Sequence, residues 1–372
     1  MLNRFITKGG KKLRYGYTTG SCAAGAAKAA AMMLYLGRPV TEVEIETPKG
    51  WDLSLDIHDI EIEKDYVSCC VIKDSGDDPD STKGIKIYAR VEKNEKSVIE
   101  LTGGIGVGKV TKPGLSVAVG EYAINPVPRQ MILKEVKKVI PLNAGIKIEI
   151  YAPEGVEIAK KTFNPKLGIV GGISIIGTTG IVEPMSEEAL KESLAIELSM
   201  LKAQGVKRVI FSPGNYGRDF GRTLNIREDV LVKTSNFIGF MIDKAVEYEF
   251  EEILWVGHIG KMIKVASGIF DTHSKTADGR MEALAAYCAL LGCSQKLVES
   301  IMNSITTEEA IDYVLSDNME RVFTFIAERI SQRCEDRSSD SLKIGTVIFS
   351  LKHGFLGACT KGHQLMEEFR DE

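Results

Sequence analysis

The chain has little that would mark a disulfide scaffold, a metal centre or a membrane protein. Its seven cysteines are odd in number and scattered, and no C-x-x-C occurs. That excludes a disulfide framework and a zinc ribbon and fits reduced thiols in the cytoplasm. No apolar run approaches the roughly 18 residues of a membrane-spanning helix; Ala29 to Leu36 is among the longest. Arg4, Lys8, Lys11, Lys12 and Arg14 form a basic start with no apolar stretch behind it. No signal peptide is expected there, and the residues read as a solvated arm. Aromatics make up only 7%, and five histidines leave few candidates for acid–base chemistry. Neither sign of charge dominates, since the net charge is −4. A nucleic-acid partner would need a basic field; a small anionic ligand needs only a local basic pocket. Internal repeats and low-complexity tracts are also missing.

What is present is an ordinary globular composition, 44% hydrophobic and 26% charged, over 372 residues. That length predicts two domains. Glycine stands out at 36 residues, which points to tight turns or close backbone approaches.

Thr18-Thr19-Gly20-Ser21 ahead of an alanine-rich run predicts a capped helix, stopped by Gly37 and Pro39. From Thr41 to about Ile150 the pattern alternates, as in Val43 and Ile45, Leu53 to Ile57, and Ile146 to Ile150. These are half-buried strands, interrupted by a helix near Pro128 to Val139. Residues 1–155 thus read as an α+β layered domain, helices on one face of a largely antiparallel sheet.

Residues 156–372 have another rhythm. Short apolar runs end in glycine loops at Leu167–Gly172, Val209–Asn215 and Ile253–His258, with a further strand over Lys343 to Phe349. Helices are expected over Glu187–Gln204, Asn236–Glu247, Ala277–Leu291 and Glu308–Arg333. Strand, loop and helix in alternation predict a Rossmann-like, doubly wound parallel sheet. The fold class is therefore α/β, with the first domain on the substrate side and the second on the cofactor side.

Three segments carry candidate chemistry. Gly103, Gly108 and Lys109 satisfy G-x-x-x-x-G-K, but Val110 replaces the Ser/Thr that would hold magnesium. A glycine-rich hairpin, an anion-binding loop and a nucleotide P-loop stay open, in that order. Gly168 to Gly180 follows an expected strand, with Thr178 where a P-loop needs lysine and no strict G-x-G-x-x-G. Backbone donors without a lysine suit a ligand lacking a triphosphate, such as S-adenosylmethionine; a structural turn is the competing reading. His258 and His273 lie close in sequence, with Lys261, Lys264 and Lys275 between or beside them. Either histidine can serve as base or hydrogen-bond donor, and a structural role weighs equally. Cys22, in the first turn of its helix, reads as a packed thiol.

Several of these stretches resemble the CbiD family of cobalt-precorrin-5B C1-methyltransferases. They are Leu13 to Ala24, Lys73 to Asp80, Gly106 to Leu115, Ala123 to Arg129, Phe163 to Gly180, Gly257 to Lys261 and Thr272 to Lys275. The likeness runs in order from about residue 10 to 290; Ser21 stands where threonine is expected, and residues beyond about 300 match loosely. The resemblance implies methyl transfer from S-adenosylmethionine to C1 of a cobalt-tetrapyrrole. That is a step of anaerobic cobalamin biosynthesis, with cobalt-precorrin-6A as product.

On this reading the cofactor would meet Gly171, Gly172, Gly177, Thr178, Thr179 and Gly180. Arg14, Thr18, Thr19, Lys109, Lys112, Arg129, Lys261 and Lys275 would meet the substrate and its carboxylates. His258 and His273 would orient substrate or accept a proton. Cobalt arrives inside the macrocycle, so no protein metal ligands are expected. The expected partner is the small-molecule substrate, with no nucleic acid and no membrane, and a homo-oligomer is left open. An ATP-dependent phosphotransferase on Gly103–Lys109 and a non-catalytic tetrapyrrole carrier are the rival readings.

Overall fold

Strand pairing, rather than local pattern, sets where the chain divides. The computed structural model describes residues 2–370, and its two compact units are Met1–Glu187 and Glu188–Glu372. The division therefore falls after the expected 155/156 boundary. The reason is that the short strands between 156 and 187 pair with strands of the first unit.

In chain order the first unit holds β1 (Phe5–Lys8), β2 (Lys11–Arg14), β3 (Gly16–Tyr17), α1 (Thr19–Leu36), β4 (Glu42–Glu46), β5 (Asp52–Asp56), β6 (His58–Ile62), β7 (Tyr66–Ile72) and β8 (Lys86–Lys93). It continues with β9 (Ile99–Gly103), β10 (Gly106–Val107), β11 (Lys109–Val110), α2 (Pro126–Lys137), β12 (Ile146–Tyr151), α3 (Gly155–Ala159), β13 (Ile169–Val170), β14 (Gly172–Ile173) and β15 (Ile181–Val182). Its main sheet has the order β6-β7-β8-β12-β9, antiparallel except for the β12–β9 pair. Alternation along β8 and β12 puts one face inward, where α1 packs. Thirteen of the eighteen α1 residues are buried, mostly Ala and Gly. Small side chains let the helix lie close to its neighbours, as where Gly25 meets Leu55. The helix stops at Gly37, which adopts φ 65 and donates back to Met33 O.

The second unit holds α4 (Glu187–Ala203), β16 (Arg208–Ser212), α5 (Asn215–Thr223), β17 (Leu231–Lys233), α6 (Ile238–Glu247), β18 (Glu252–His258) and α7 (Ile259–Ala266). Then come α8 (Arg280–Leu290), α9 (Gln295–Met302), α10 (Thr307–Ser316), α11 (Arg321–Arg337), β19 (Lys343–Ser350), β20 (Gly354–Ala358) and α12 (Thr360–Glu368). The sheet order is β17-β16-β18-β19-β20. The first four strands are parallel, and β20 returns as a hairpin. Alternate residues feed opposite faces: Ile253 and Trp255 join one core, Leu254 and Val256 the other. Helices α5 and α12 cover one face; α6, α7 and α11 cover the other. Trp255 and Phe211 meet edge to face at 5.1 Å, each burial being worth about 2–3 kcal/mol.

Two further sequence expectations change. The Leu167–Val170 run is not a strand of the doubly wound sheet; β13 pairs antiparallel with β11 in the first unit. The expected helix over Glu308–Arg333 is two helices, α10 and α11, parted by a turn in which Asn318 takes φ 53. An amphipathic pattern carries through such a break because both helices bury the same kind of stripe.

Candidate functional site

The two glycine-rich segments of the first unit meet each other. Gly106 pairs with Gly172 in the parallel β10–β14 ladder, and Lys109 pairs with Val170 across β11–β13. A Cβ on Gly106 would sit 1.7 Å from Ala152 O, and one on Gly172 would sit 2.2 Å from Gly106. Here glycine admits backbone against backbone. The G-x-x-x-x-G-K stretch runs from strand to strand, whereas a P-loop needs a helix start to cradle phosphate. The nucleotide reading therefore loses its structural basis.

The loop from Gly171 to Gly180 folds onto the start of α1. Thr18 caps that helix, its hydroxyl accepting from Ser21 N at 3.2 Å. Thr19 Oγ1 accepts from Ile176 N at 2.9 Å. Gly20 N donates to Ile176 O at 3.0 Å, and Ser21 Oγ donates to Gly180 O at 2.6 Å. Gly177 (φ 135) must be glycine because a Cβ would strike Thr18 at 2.4 Å. Gly180 (φ 78) lies against Thr47 and Ser21, while Gly171 (φ 86) faces open space. Thr178 and Thr179 are exposed, and Thr179 Oγ1 bonds within the loop to Ile181. Thr18 and Thr19, expected at substrate, are buried and serve as pins for this loop. Cys22 beneath them is fully buried, which pushes its thiol up to about 12.

The remaining first-unit candidates differ in their freedom. Arg14 is held by Asp74 in a two-point contact at 2.5 and 2.7 Å, which keeps the Asp74 carboxyl below its ordinary range. Arg129 is half-buried and reaches Leu101 O at 3.5 Å. Lys109 and Lys112 are exposed. The Lys109 ammonium lies 4.7 Å from the Tyr122 ring centroid.

The second unit gathers another set at the carboxyl ends of its parallel strands. Numbered within the unit, its strand order is 2-1-3-4-5, so the chain reverses direction between β16 and β18. A crevice at such a reversal is where open α/β sheets take ligands. β16 ends at Ser212 and leads through Pro213 and Gly214 into α5; β18 ends at His258 and leads into α7. Lys261 Nζ crosses between them to Pro213 O at 2.7 Å, and burial pulls its ammonium below the usual lysine range. Lys233, at the end of β17, reaches Asn215 Oδ1.

His258 is fully engaged. Its Nδ1 accepts from Gly260 N at 3.1 Å and caps α7, so the neutral ring carries its proton on Nε2, 3.2 Å from Glu308 Oε1. That leaves no lone pair for a substrate proton. His273 sits beyond β17, where Thr272 N donates to Asn236 O and Phe237 bridges to Asp271. Its Nδ1 accepts from the backbone of exposed Lys275 at 3.1 Å. No hydrogen bond at His273 Nε2 is present among the described residues.

Some residues here carry roles that the sequence did not assign. Lys264 is buried and holds the 272–277 loop through Thr272 O (3.3 Å) and Ala277 O (2.7 Å). Glu308 orients His258 and also accepts from Leu351 N at 3.1 Å. Gly214 begins α5 without a side-chain cap. The buried atoms Arg218 Nε, Thr234 Oγ1, Thr272 Oγ1 and Glu308 Oε2 have no hydrogen-bond partner. All four belong to segments that follow β16, β17 and β18, and buried polar groups normally find partners. Gly214-Asn215, Lys264 and Thr272 lay within stretches the sequence marked; Arg218, Thr234 and Glu308 come from distant segments with no shared periodicity.

Comparison with known proteins gives a consistent picture. The CbiD family model matches residues 6–184, and the CbiD C-terminal domain matches residues 271–360. The first match ends close to the end of the first compact unit. A cobalt-precorrin-5B C(1)-methyltransferase of Alkaliphilus metalliredigens is 53% identical over the whole chain and 99% of its own length. One from Thermoanaerobacter sp. is also 53% identical, over 95% of this chain and 97% of its own. A crystal structure of the cobalamin biosynthesis protein (cbiD) from Archaeoglobus fulgidus is 31% identical, covering 73% of this chain and 86% of that one, with a TM-score of 0.38.

Proposed function

The chain belongs to the CbiD family, and on that footing we propose that it is a C-methyltransferase of cobalamin biosynthesis that methylates C1 of cobalt-precorrin-5B. The observation that carries this reading is end-to-end identity of 53% with a relative of that name. S-adenosylmethionine is the donor this reaction implies; bound, it supplies a sulfonium-linked methyl group. The product is cobalt-precorrin-6A, and the protein works in the cytoplasm. No helix among the described residues is long and apolar enough to cross a membrane.

The fitting site for the donor is the carboxyl edge of the β16–β18 reversal. The sequence points instead to Gly171–Gly180, on the premise that this loop follows a strand of the parallel sheet. That loop lies in the other unit, with Gly172, Gly177 and Gly180 against the protein itself. At the edge of β16, an added Cβ on Gly214 would come no nearer than 4.0 Å to Lys261 Nζ, so the backbone there is open to a ligand. The uncapped first turn of α5, with Lys261 and Lys233 beside it, suits the donor's carboxylate. Thr234 Oγ1 offers a further polar atom without a hydrogen-bond partner, and Arg218 Nε, 3.9 Å from Glu228 Oε2, also makes no hydrogen bond.

The chain's own work is to hold and orient. The carbon nucleophile belongs to the conjugated macrocycle, and in-line displacement gains most from positioning in a water-poor cleft. His258 acts as a cap and an anchor for Glu308, positioning Lys261 from the other end of the same turn. His273 Nε2 is the histidine atom left to meet substrate.

Incubation of the protein with methyl-labelled donor and cobalt-precorrin-5B under anaerobic conditions tests the proposal. Label at C1 is expected; absence of transfer, or label at another carbon, overturns it. Thermal stabilisation by S-adenosylhomocysteine and none by ATP separates it from the phosphotransferase reading.

A further inference from the structure

We propose that the exposed apolar surface formed around the β10–β14 and β11–β13 ladders receives one face of the tetrapyrrole, with Lys109 and Lys112 meeting its peripheral carboxylates. This rests on the methyltransferase reading above and names where that substrate docks on the first unit. Four large apolar side chains stand out to solvent here: Ile105 at 71% exposed, Phe163 at 66%, Val170 at 60% and Ile176 at 50%. Exposed apolar groups scattered singly need no explanation; these four lie on segments that two short ladders tie together.

One knot of backbone contacts holds all four. Ile105 directly precedes Gly106, which pairs with Gly172. Val170 stands opposite Lys109. Asn164, next to Phe163, donates from Nδ2 to Gly172 O at 3.0 Å, and its carbonyl accepts from Ile169 N at 2.9 Å. Ile176 is tied down through its N–H to Thr19 Oγ1 at 2.9 Å. The knot cannot loosen easily, because Gly106, Gly108 and Gly172 bring backbone within distances that a Cβ would forbid. A surface of this rigidity has its shape set before ligand arrives, which limits the ordering cost of binding.

Charge selects the occupant. Lys109 and Lys112 border the apolar surface, and neither has a carboxylate partner among the described residues. Lys112 lies against Gly168, beside β13. A flat macrocycle with an apolar face and a rim of carboxylates matches apolar side chains edged by ammonium groups that have no carboxylate partner among the described residues.

Binding of cobalt-precorrin-5B, read by the visible absorbance that the protein retains after anaerobic ultrafiltration without methyl donor, tests this directly. Ile105→Asp and Val170→Asp should each weaken retention and raise KM about tenfold. Neither should change kcat or the affinity for S-adenosylhomocysteine. The double variant Lys109→Ala with Lys112→Ala should do the same and should flatten the salt dependence of binding. Leu142→Asp, at a side chain 94% exposed elsewhere in the first unit, should change nothing, and an unshifted Tm shows that the variants fold. Unchanged retention and KM in both aspartate variants overturn the proposal. Dissociation of an oligomer by Ile105→Asp with KM unchanged assigns the surface to a second copy of the chain and also overturns it. A wild-type protein that neither retains nor methylates the macrocycle brings down the functional reading and the surface together; normal turnover with an insensitive surface brings down the surface alone.

Discussion

Gly106 and Gly172 in the first unit and Gly214 at the carboxyl edge of the second-unit sheet face opposite surroundings. Gly106 and Gly172 press against neighbouring backbone, so their lack of a side chain is consumed by the fold. Gly214 has almost nothing near it, so the same lack leaves backbone uncovered at a helix start. The difference teaches that a glycine-rich motif is not in itself a ligand loop. What decides is whether the space vacated by Cβ is filled by protein or left open.

The largest expected effect comes from reversing that vacancy. Gly106→Ala combines φ 77 with a Cβ 1.7 Å from Ala152 O. It should destabilise the first unit by about 3 kcal/mol or more, seen as a lowered urea midpoint. Gly214→Ala, at an extended backbone with φ 173, should cost within about 1 kcal/mol yet weaken donor binding by calorimetry. If Gly214→Ala leaves donor affinity intact, the contrast between the two regions disappears.

Next in size is the buried pair between the helices of the first unit. Glu135 is fully buried and meets Lys28 at 2.8 Å and Lys138 at 2.6 Å. Glu135→Gln should cost about 2–3 kcal/mol, since it leaves the Lys28 ammonium with a weaker partner. Burial pushes the Glu135 carboxyl up, but hydrogen bonds from Lys138 and Lys28 outweigh it, and its net displacement is downward. Asp74 is lowered chiefly by its hydrogen bond from Arg14. A carboxyl depressed in the folded state stabilises the fold above its unfolded value, about 4, and that contribution is lost as pH falls through the folded value. Acid melts followed by far-UV CD should therefore show the first unit weakening below about pH 4, with Glu135→Gln flattening that slope.

The smallest effect concerns His258. His258→Ala removes the α7 cap and should cost about 1 kcal/mol; His258→Asn, which can cap, should recover most of it. Turnover by His258→Asn should stay within a few-fold of wild type. A collapse of turnover with stability restored would instead give this imidazole a part in proton transfer.

Much of the first unit was legible residue by residue. A cap within Thr18–Ser21, Gly37 as stop and the alternation through Ile146–Ile150 each act over a few residues, and the structure keeps them, with Thr18 as the capping residue. The paired glycine segments were not legible as partners, because Gly106 and Gly172 lie far apart and their ladders are only two residues long, too short for any period. Among the proposed site residues, Lys261 and His258 were marked by composition near a strand end. Arg218, Thr234 and Glu308 were not, because each sits in a stretch that reads as ordinary helix or loop.

By itself the order of amino acids determined which segments become helix or strand, which faces turn inward, and the family likeness carried by its glycine, threonine and histidine runs. Those properties arise from neighbours along the chain, where side-chain spacing and backbone preference act directly. Only the tertiary structure decided that β13 and β14 join the first unit, that β16 lies between β17 and β18, and that His258 points both nitrogens at protein. Such choices come from contacts between distant segments, whose energy depends on the whole packed arrangement and leaves no periodic trace in the sequence.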